Sequence, residues 1–143
     1  MIDKTYSTKS NREKTAFLFE STGPKGTILK FVLLEDLGDM FNLAFGDVVE
    51  GQLIDSVTSN NQDIVTILNT VAKCVYEFLE MNPGSVIRID PYDEKRKRLY
   101  NTIFQRKHRE IEMHFEIRAV ISEVIQKYNP TKAFDYFLLK HKI

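Results

Sequence analysis

Tryptophan is absent from this chain, cysteine occurs once, proline four times and glycine six times. A single cysteine excludes an intrachain disulfide framework and every C-x-x-C metal or redox motif, which fits a reducing compartment. So little glycine and proline excludes collagen-like and low-complexity architectures. Long apolar runs are missing too. The longest aliphatic stretch, Phe31 to Leu34, is far too short to span a bilayer, and Met1 to Tyr6 carries no apolar segment of the signal-peptide kind. These absences lead to the expectation of a cytoplasmic protein with no membrane partner. Catalytic signatures are also lacking. No G-x-S-x-G, Walker A, H-E-x-x-H or G-x-G-x-x-G occurs, and Gly23-x-x-Gly26 is more economically a hairpin turn than a phosphate cradle. The motifs therefore point away from an enzyme and from a bound cofactor.

What is present suffices for one core. The chain has 143 residues, 43% of them hydrophobic and 28% charged, with ten phenylalanines and six tyrosines. A chain of this length buries roughly 70% of the surface it exposes when unfolded, so it needs no metal or disulfide for stability. The expected organisation is a loosely ordered arm over residues 1–14 and one α+β domain over residues 15–143. Formal charge sums to zero, yet residues 1–87 hold 7 Lys and Arg against 12 Asp and Glu, and residues 88–143 hold 13 against 8. The first part is thus at −5 and the second at +5. That asymmetry either steers an anionic partner to the second part or lets the two parts complement each other.

Periodicity places the elements. Phe17 and Phe19 alternate with Ala16 and Leu18, Gly23-Pro24-Lys25-Gly26 makes a turn, and Thr27 to Glu35 is rich in strand-forming residues, which predicts a hairpin. After a second turn at Asp36-Leu37-Gly38-Asp39, Phe41, Leu43 and Phe45 share one strand face. Gly46 and Asp47 are expected to end that strand, with Val48 to Asp55 as a fourth strand or a loop. From Ile64 to Met81 apolar residues recur at helical spacing, with Ser59, Asn60, Asn61 and Asp63 as N-cap candidates and Asn82-Pro83-Gly84 as the stop. Val86 to Ile89 reads as a buried strand and Glu94 to Lys107 as a second helix. Ile111, Met113, Phe115 and Ile117 alternate with polar residues, which predicts another strand. Ser122 to Lys127 is expected as a short helix, and Phe134 to Lys140 as a final strand or a helix. The resulting fold is a mostly antiparallel sheet of five to six strands with the two main helices packed on one face.

Three constellations could carry function. The second helix holds Lys95, Arg96, Lys97 and Arg98 in its first turns and Arg106, Lys107 and Arg109 near its end. Arg96, Arg98, Arg106, Lys107 and Arg109 are the candidate anion or nucleic-acid contacts, although Arg96 and Lys107 fall near the inner stripe and the cations do not make one compact face. Asp47, Asn60, Asn61 and Asp63 form a candidate polar ligand site, which turn and cap chemistry explains singly. A carboxylate-based enzyme would have to be built there. Glu112, His114 and Glu116 would point to one side of a strand, but ~3.3 Å per residue spreads them too far for more than a neighbouring pair to share a metal. Cys74, between Val71, Val75 and Phe78, is expected as a buried thiol.

The segments Phe41-Asn42-Leu43-Ala44-Phe45-Gly46-Asp47, Ser59-Asn60-Asn61-x-Asp63 and Arg96-x-Arg98-Leu99-Tyr100 together resemble a family of small Bacteroidota proteins with no assigned activity. The resemblance covers most of the chain after Thr15 and implies a bacterial α+β domain. Where the family pattern has a small polar Gly-Ser-Thr-like stretch before the two arginines, this chain has Pro91-Tyr92-Asp93. The functional expectation is a non-catalytic binding or regulatory protein whose partner is another protein or its own copy. Nucleic-acid binding by the helix over residues 94–109 is the alternative, and an enzyme with a carboxylate site the third.

Overall fold

A computed structural model describes residues 4–54 and 61–142 of the chain. Its elements are β1 (Lys9–Ser10), β2 (Ala16–Gly23), β3 (Gly26–Asp36), β4 (Phe41–Val49), β5 (Gln52–Ile54), α1 (Ile64–Met81), β6 (Val86–Ile89), α2 (Glu94–Ile111), β7 (Phe115–Ile121), β8 (Val124–Lys127) and β9 (Tyr136–His141). The sheet runs β1-β2-β3-β4-β6-β9-β7-β8, with β5 on β4. It has nine strands rather than the five or six expected. The surplus comes from short elements, namely β1, β5, for which the pattern allows a strand or a loop, and β8, expected as a helix. Pairing is mostly antiparallel, with β4 and β6 parallel at Phe41 and Ile87. No helix among the described residues is long and apolar enough to cross a membrane.

The chain divides into two compact units, residues 1–35 with 43–82, and residues 36–42 with 83–143. In the first, β2 and β3 form the expected hairpin in the register Phe17 to Val32 and Phe19 to Lys30. Side chains alternate along a strand, so Phe17, Phe19 and Ser21 on β2 share a face with Val32 and Lys30 on β3, and all five are buried. Lys30 is therefore carried inward by the same period that buries the phenylalanines. Its ammonium meets the Asp47 carboxylate at 2.5 Å, with both side chains almost wholly excluded from solvent. Asp47 does not end β4, contrary to expectation. The strand runs on to Val49 because the carboxylate is neutralised within the sheet, and the turn at Glu50 and Gly51, both at positive φ, returns the chain as β5.

Helix α1 has the predicted bounds. It buries Ile67, Thr70, Val71, Cys74, Val75, Phe78 and Leu79 on one side, and Asn82 closes it by donating its backbone N–H to the Phe78 carbonyl. Residues of the N-terminal arm are tied to this unit. Tyr6 stacks on Phe19 and donates its backbone N–H to Thr70 Oγ1, and the arm forms the short strand β1 at Lys9–Ser10.

The second unit holds α2 and the four strands β6, β9, β7 and β8. Phe104 of α2 stacks on Phe137 of β9 with ring centroids 4.0 Å apart, and Tyr128 and Phe134 complete the aromatic cluster. Asn101 clamps the chain beside it, accepting from the Phe134 backbone N–H and donating to the Phe134 carbonyl. The alternation from Ile111 proves to be a helix end followed by a strand. Ile111 lies seven residues after Phe104, on the same helical stripe, so α2 continues through it and β7 begins only at Phe115. The segment expected as a short helix at Ser122 to Lys127 is the return strand β8. Ser122 and Glu123 both take positive φ, at 49° and 67°, the tight mirror-image turn that suits a twisted hairpin. The last segment is a strand, not a helix.

Asp135 links three elements of this unit, accepting from Lys97 Nζ on α2 and from the backbone N–H of Ser122 in the β7–β8 turn. The Lys97 hydrogen bond, aided by the Ser122 N–H, holds the Asp135 carboxyl below its ordinary value. A carboxyl depressed in the folded state adds stability above its unfolded pKa and loses it as pH falls through the folded one. Lys97→Met is therefore expected to reduce stability near neutral pH and to flatten its decline below about pH 4, by a small amount because the pair is partly solvated. Urea unfolding from pH 2 to 7 reads this, and parallel wild-type and variant curves would refute it. For the buried pair, Asp47→Ala is expected to cost about 3–5 kcal/mol, because it removes the carboxylate held against the buried Lys30 ammonium, whereas Lys30→Met with Asp47→Leu together costs less. Urea midpoints at neutral pH compare the two.

Candidate functional site

The structure divides the five candidate cations on α2 into two groups. Arg96 is drawn to the helix start, where its guanidinium lies 3.4 Å from Asp93 and its side chain is only 13% exposed. Lys107 lies 3.8 Å from Glu110. These two are the ones the helical wheel places near the inner stripe. Arg98, Arg106 and Arg109 are exposed, and so is Lys95, which the candidate set omitted. At 100° per residue Lys95, Arg98, Thr102, Arg106 and Arg109 fall within an arc of about 80° and span about 21 Å of helix. So the exposed cations other than Lys107, which is exposed too but lies on another side of the helix, do form one stripe. Leu99, 41% exposed, borders it.

At the start of α2 the helix N-terminus is already occupied. Asp93 takes the N-cap position, and its carboxylate accepts the Arg96 backbone N–H at 2.7 Å. An unpaired helix N-terminus attracts external anions. Here the protein's own carboxylate already fills that place.

The second candidate set does not gather into one cleft. Asp47 is buried against Lys30, and Asn60 lies outside the described residues, as do Asp55 and Ser59. Asn61 and Asp63 converge on Ser21. Asn61, 2% exposed, is not a helix cap. It accepts the Lys25 backbone N–H at 2.7 Å and donates its amide N–H groups to the Gly26 carbonyl and to Ser21 Oγ, so one side chain clasps the β2–β3 turn. Gly23 is required beside it, since a Cβ there would overlap the Asn61 backbone carbonyl. Asp63 occupies the N-cap position of α1 without capping it. Its Oδ2 accepts instead from Tyr6 Oη and Ser21 Oγ, each at 2.5 Å. The expectation of N-cap chemistry at both positions is thus corrected, because buried donors on β2 and on the arm compete for the same oxygens. Ser21 is fully buried and donates to a carboxylate, an arrangement that fastens the arm and presents no nucleophile.

Two further clusters considered from sequence also resolve. Glu112 caps the end of α2 and His114 precedes β7, so only Glu116 is on the strand. No group of three His, Cys, Asp or Glu among the described residues could hold a metal ion. Cys74 is buried, and desolvation, with Glu77 adding to it, pushes its thiol up to about 12. A thiol in that state supplies almost no thiolate at neutral pH. Sequence reasoning missed Tyr6, Ser21 and Lys30. The inward strand phase of Ser21 and Lys30 was the one available signal.

These elements define an α+β protein with a large, mostly antiparallel sheet, a clasped hairpin and a cationic helix face. The chain belongs to the family of unknown function DUF6934, which it matches over residues 3–142. No curated protein and no solved structure matches it.

The clasp gives a direct test. Asn61→Ala removes an amide whose partners, the Lys25 N–H and the Gly26 carbonyl, are then left without it, and is expected to destabilise by about 1–3 kcal/mol. Chemical denaturation measures it, and a loss below about 0.5 kcal/mol would show that the turn holds without the amide.

Proposed function

We propose that this is a non-catalytic nucleic-acid-binding protein that uses the exposed face of α2. The observation that carries this reading is the stripe of Lys95, Arg98, Arg106 and Arg109, all exposed, on a helix whose other cations, Arg96, Lys97 and Lys107, are engaged by Asp93, Asp135 and Glu110. Ordinary helix electrostatics explains acidic groups at the start and basic groups at the end. It does not explain cations along about 21 Å of one side. Neighbours at i+3 and i+4 lie roughly 5–6 Å apart on a helix, a spacing that suits successive phosphates of a strand. The stripe carries Thr102 and is bordered by Leu99 and by Gln105, whose amide donates to the Pro130 carbonyl, and it has no aromatic ring, so the contacts are to the phosphate backbone and the binding is sequence-tolerant. The positive balance of residues 88–143 adds a long-range attraction in the same sense.

Binding to single- and double-stranded oligonucleotides of mixed sequence, followed by fluorescence anisotropy across salt concentrations, tests the proposal. Four phosphate contacts to a single strand correspond to a log–log salt slope near −3, at roughly 0.7 per contact. Arg98→Ala with Arg106→Ala is expected to halve that slope and weaken binding at least tenfold at low salt. Absence of binding at low ionic strength, or binding that the double variant leaves intact, would reject it.

A further inference from the structure

β8 ends the strand order, pairing with β7 alone in the register Ile121 to Val124, Val120 to Ile125, Ala119 to Gln126 and Arg118 to Lys127. The two-residue turn makes Ile121 and Val124 a hydrogen-bonded pair, and such pairs alternate along an antiparallel ladder. The Tyr128 N–H bonded to the Ile117 carbonyl continues that alternation. The backbone groups of Val124 and Gln126 are thus directed at β7, and those of Ile125 and Lys127 point away from it. The far side of β7 keeps the same rule, its Val120 carbonyl accepting from the Asp135 N–H. The outer edge therefore offers the N–H and C=O of Ile125 and of Lys127. Val124 and Ile125 are 60% and 61% exposed, although both are apolar and strand-forming.

An open edge of this kind is a template for another strand, and proteins commonly blunt it with charge. Here the charges are arranged to fit a particular partner. Glu123, in the turn that leads into β8, and Lys127 stand two residues to either side of Ile125, so a two-fold axis through Ile125 brings Glu123 of each copy near Lys127 of the other. We propose that two copies of this chain pair antiparallel through β8, with Ile125 facing its own counterpart on the axis. The two Ile125 residues exchange both backbone hydrogen bonds, Val124 meets Gln126 of the other copy, and the two Glu123–Lys127 pairs flank the centre. The contact is isologous, as a closed dimer requires. A partner strand of unrelated sequence would leave Lys127 facing an uncharged or cationic neighbour, and it is this complementarity that selects the second copy.

Sedimentation velocity on the full chain, from about 1 to 300 μM, tests the pairing. The wild type is expected to show a monomer–dimer equilibrium that Ile125→Lys shifts to monomer. Glu123→Lys alone and Lys127→Glu alone should each weaken association at least tenfold, and the two together should restore it to within about threefold. All three positions are exposed in the single chain, so the variants keep the fold, which circular dichroism verifies. A monomer at every concentration, a dimer indifferent to Ile125→Lys, or failure of the double exchange to rescue would each overturn the proposal. None of these substitutions touches α2, so the outcome is separable from nucleic-acid binding.

Discussion

An ammonium buried in a sheet is tolerable only where an opposite charge is held against it, and the first unit is arranged around that constraint at Lys30 and Asp47. The inward phase of β3 delivers the lysine. β4 must then stay extended past Gly46 to deliver the aspartate, and only after it has done so does the chain turn at Glu50 and Gly51 into β5. Removing two charges from water is costly, and a well-packed apolar pair often does as well or better. The pair therefore does more to set which residues face each other than to raise stability, since an inward carboxylate is acceptable at one position along β4 and at no other.

A similar logic governs Asn61. Its amide offers an acceptor and donors from one planar group, and the β2–β3 turn leaves a backbone N–H at Lys25 and a carbonyl at Gly26 that it satisfies together. Asp63 fastens the arm through Tyr6 from the other side of Ser21. The entry to α1, the first hairpin and the arm are consequently secured at one place, which explains why α1 forgoes a side-chain N-cap there.

The parts of this fold that were legible in the sequence are those decided locally. The apolar residues that recur at helical spacing from Ile64 to Met81 fix a helix, and Gly23 to Gly26 marks its hairpin by composition. Asp47 was misread as a strand end because its partner lies 17 residues away in the sequence, and no local pattern announces such a pairing. β8 was misread as a helix because its turn uses Ser122 and Glu123 in the left-handed region, where glycine or asparagine gives the usual signal. On α2 the wheel set Arg96 and Lys107 near the inner stripe; Arg96 is largely buried, whereas Lys107 stays exposed beside Glu110. What it could not supply was the carboxylates that engage Arg96, Lys97 and Lys107. Asp135 in particular reaches Lys97 from far along the chain, and subtracting such pairs is what leaves a coherent face.

The Asn61 clasp and the α2 stripe differ in how much change they tolerate. Asn61 uses both ends of its amide at fixed backbone targets and stands against Gly23 with no room for a Cβ, so among descendants of this sequence neither residue has an interchangeable alternative. The stripe depends only on the sign of its charge and a helical period, so lysine and arginine can trade places there, or move a turn, without loss of the field they create. Over evolutionary time such a chain would hold its hairpin letter for letter while its cationic face wandered, and relatives would be easier to recognise by the turn that shapes them than by the charges on α2.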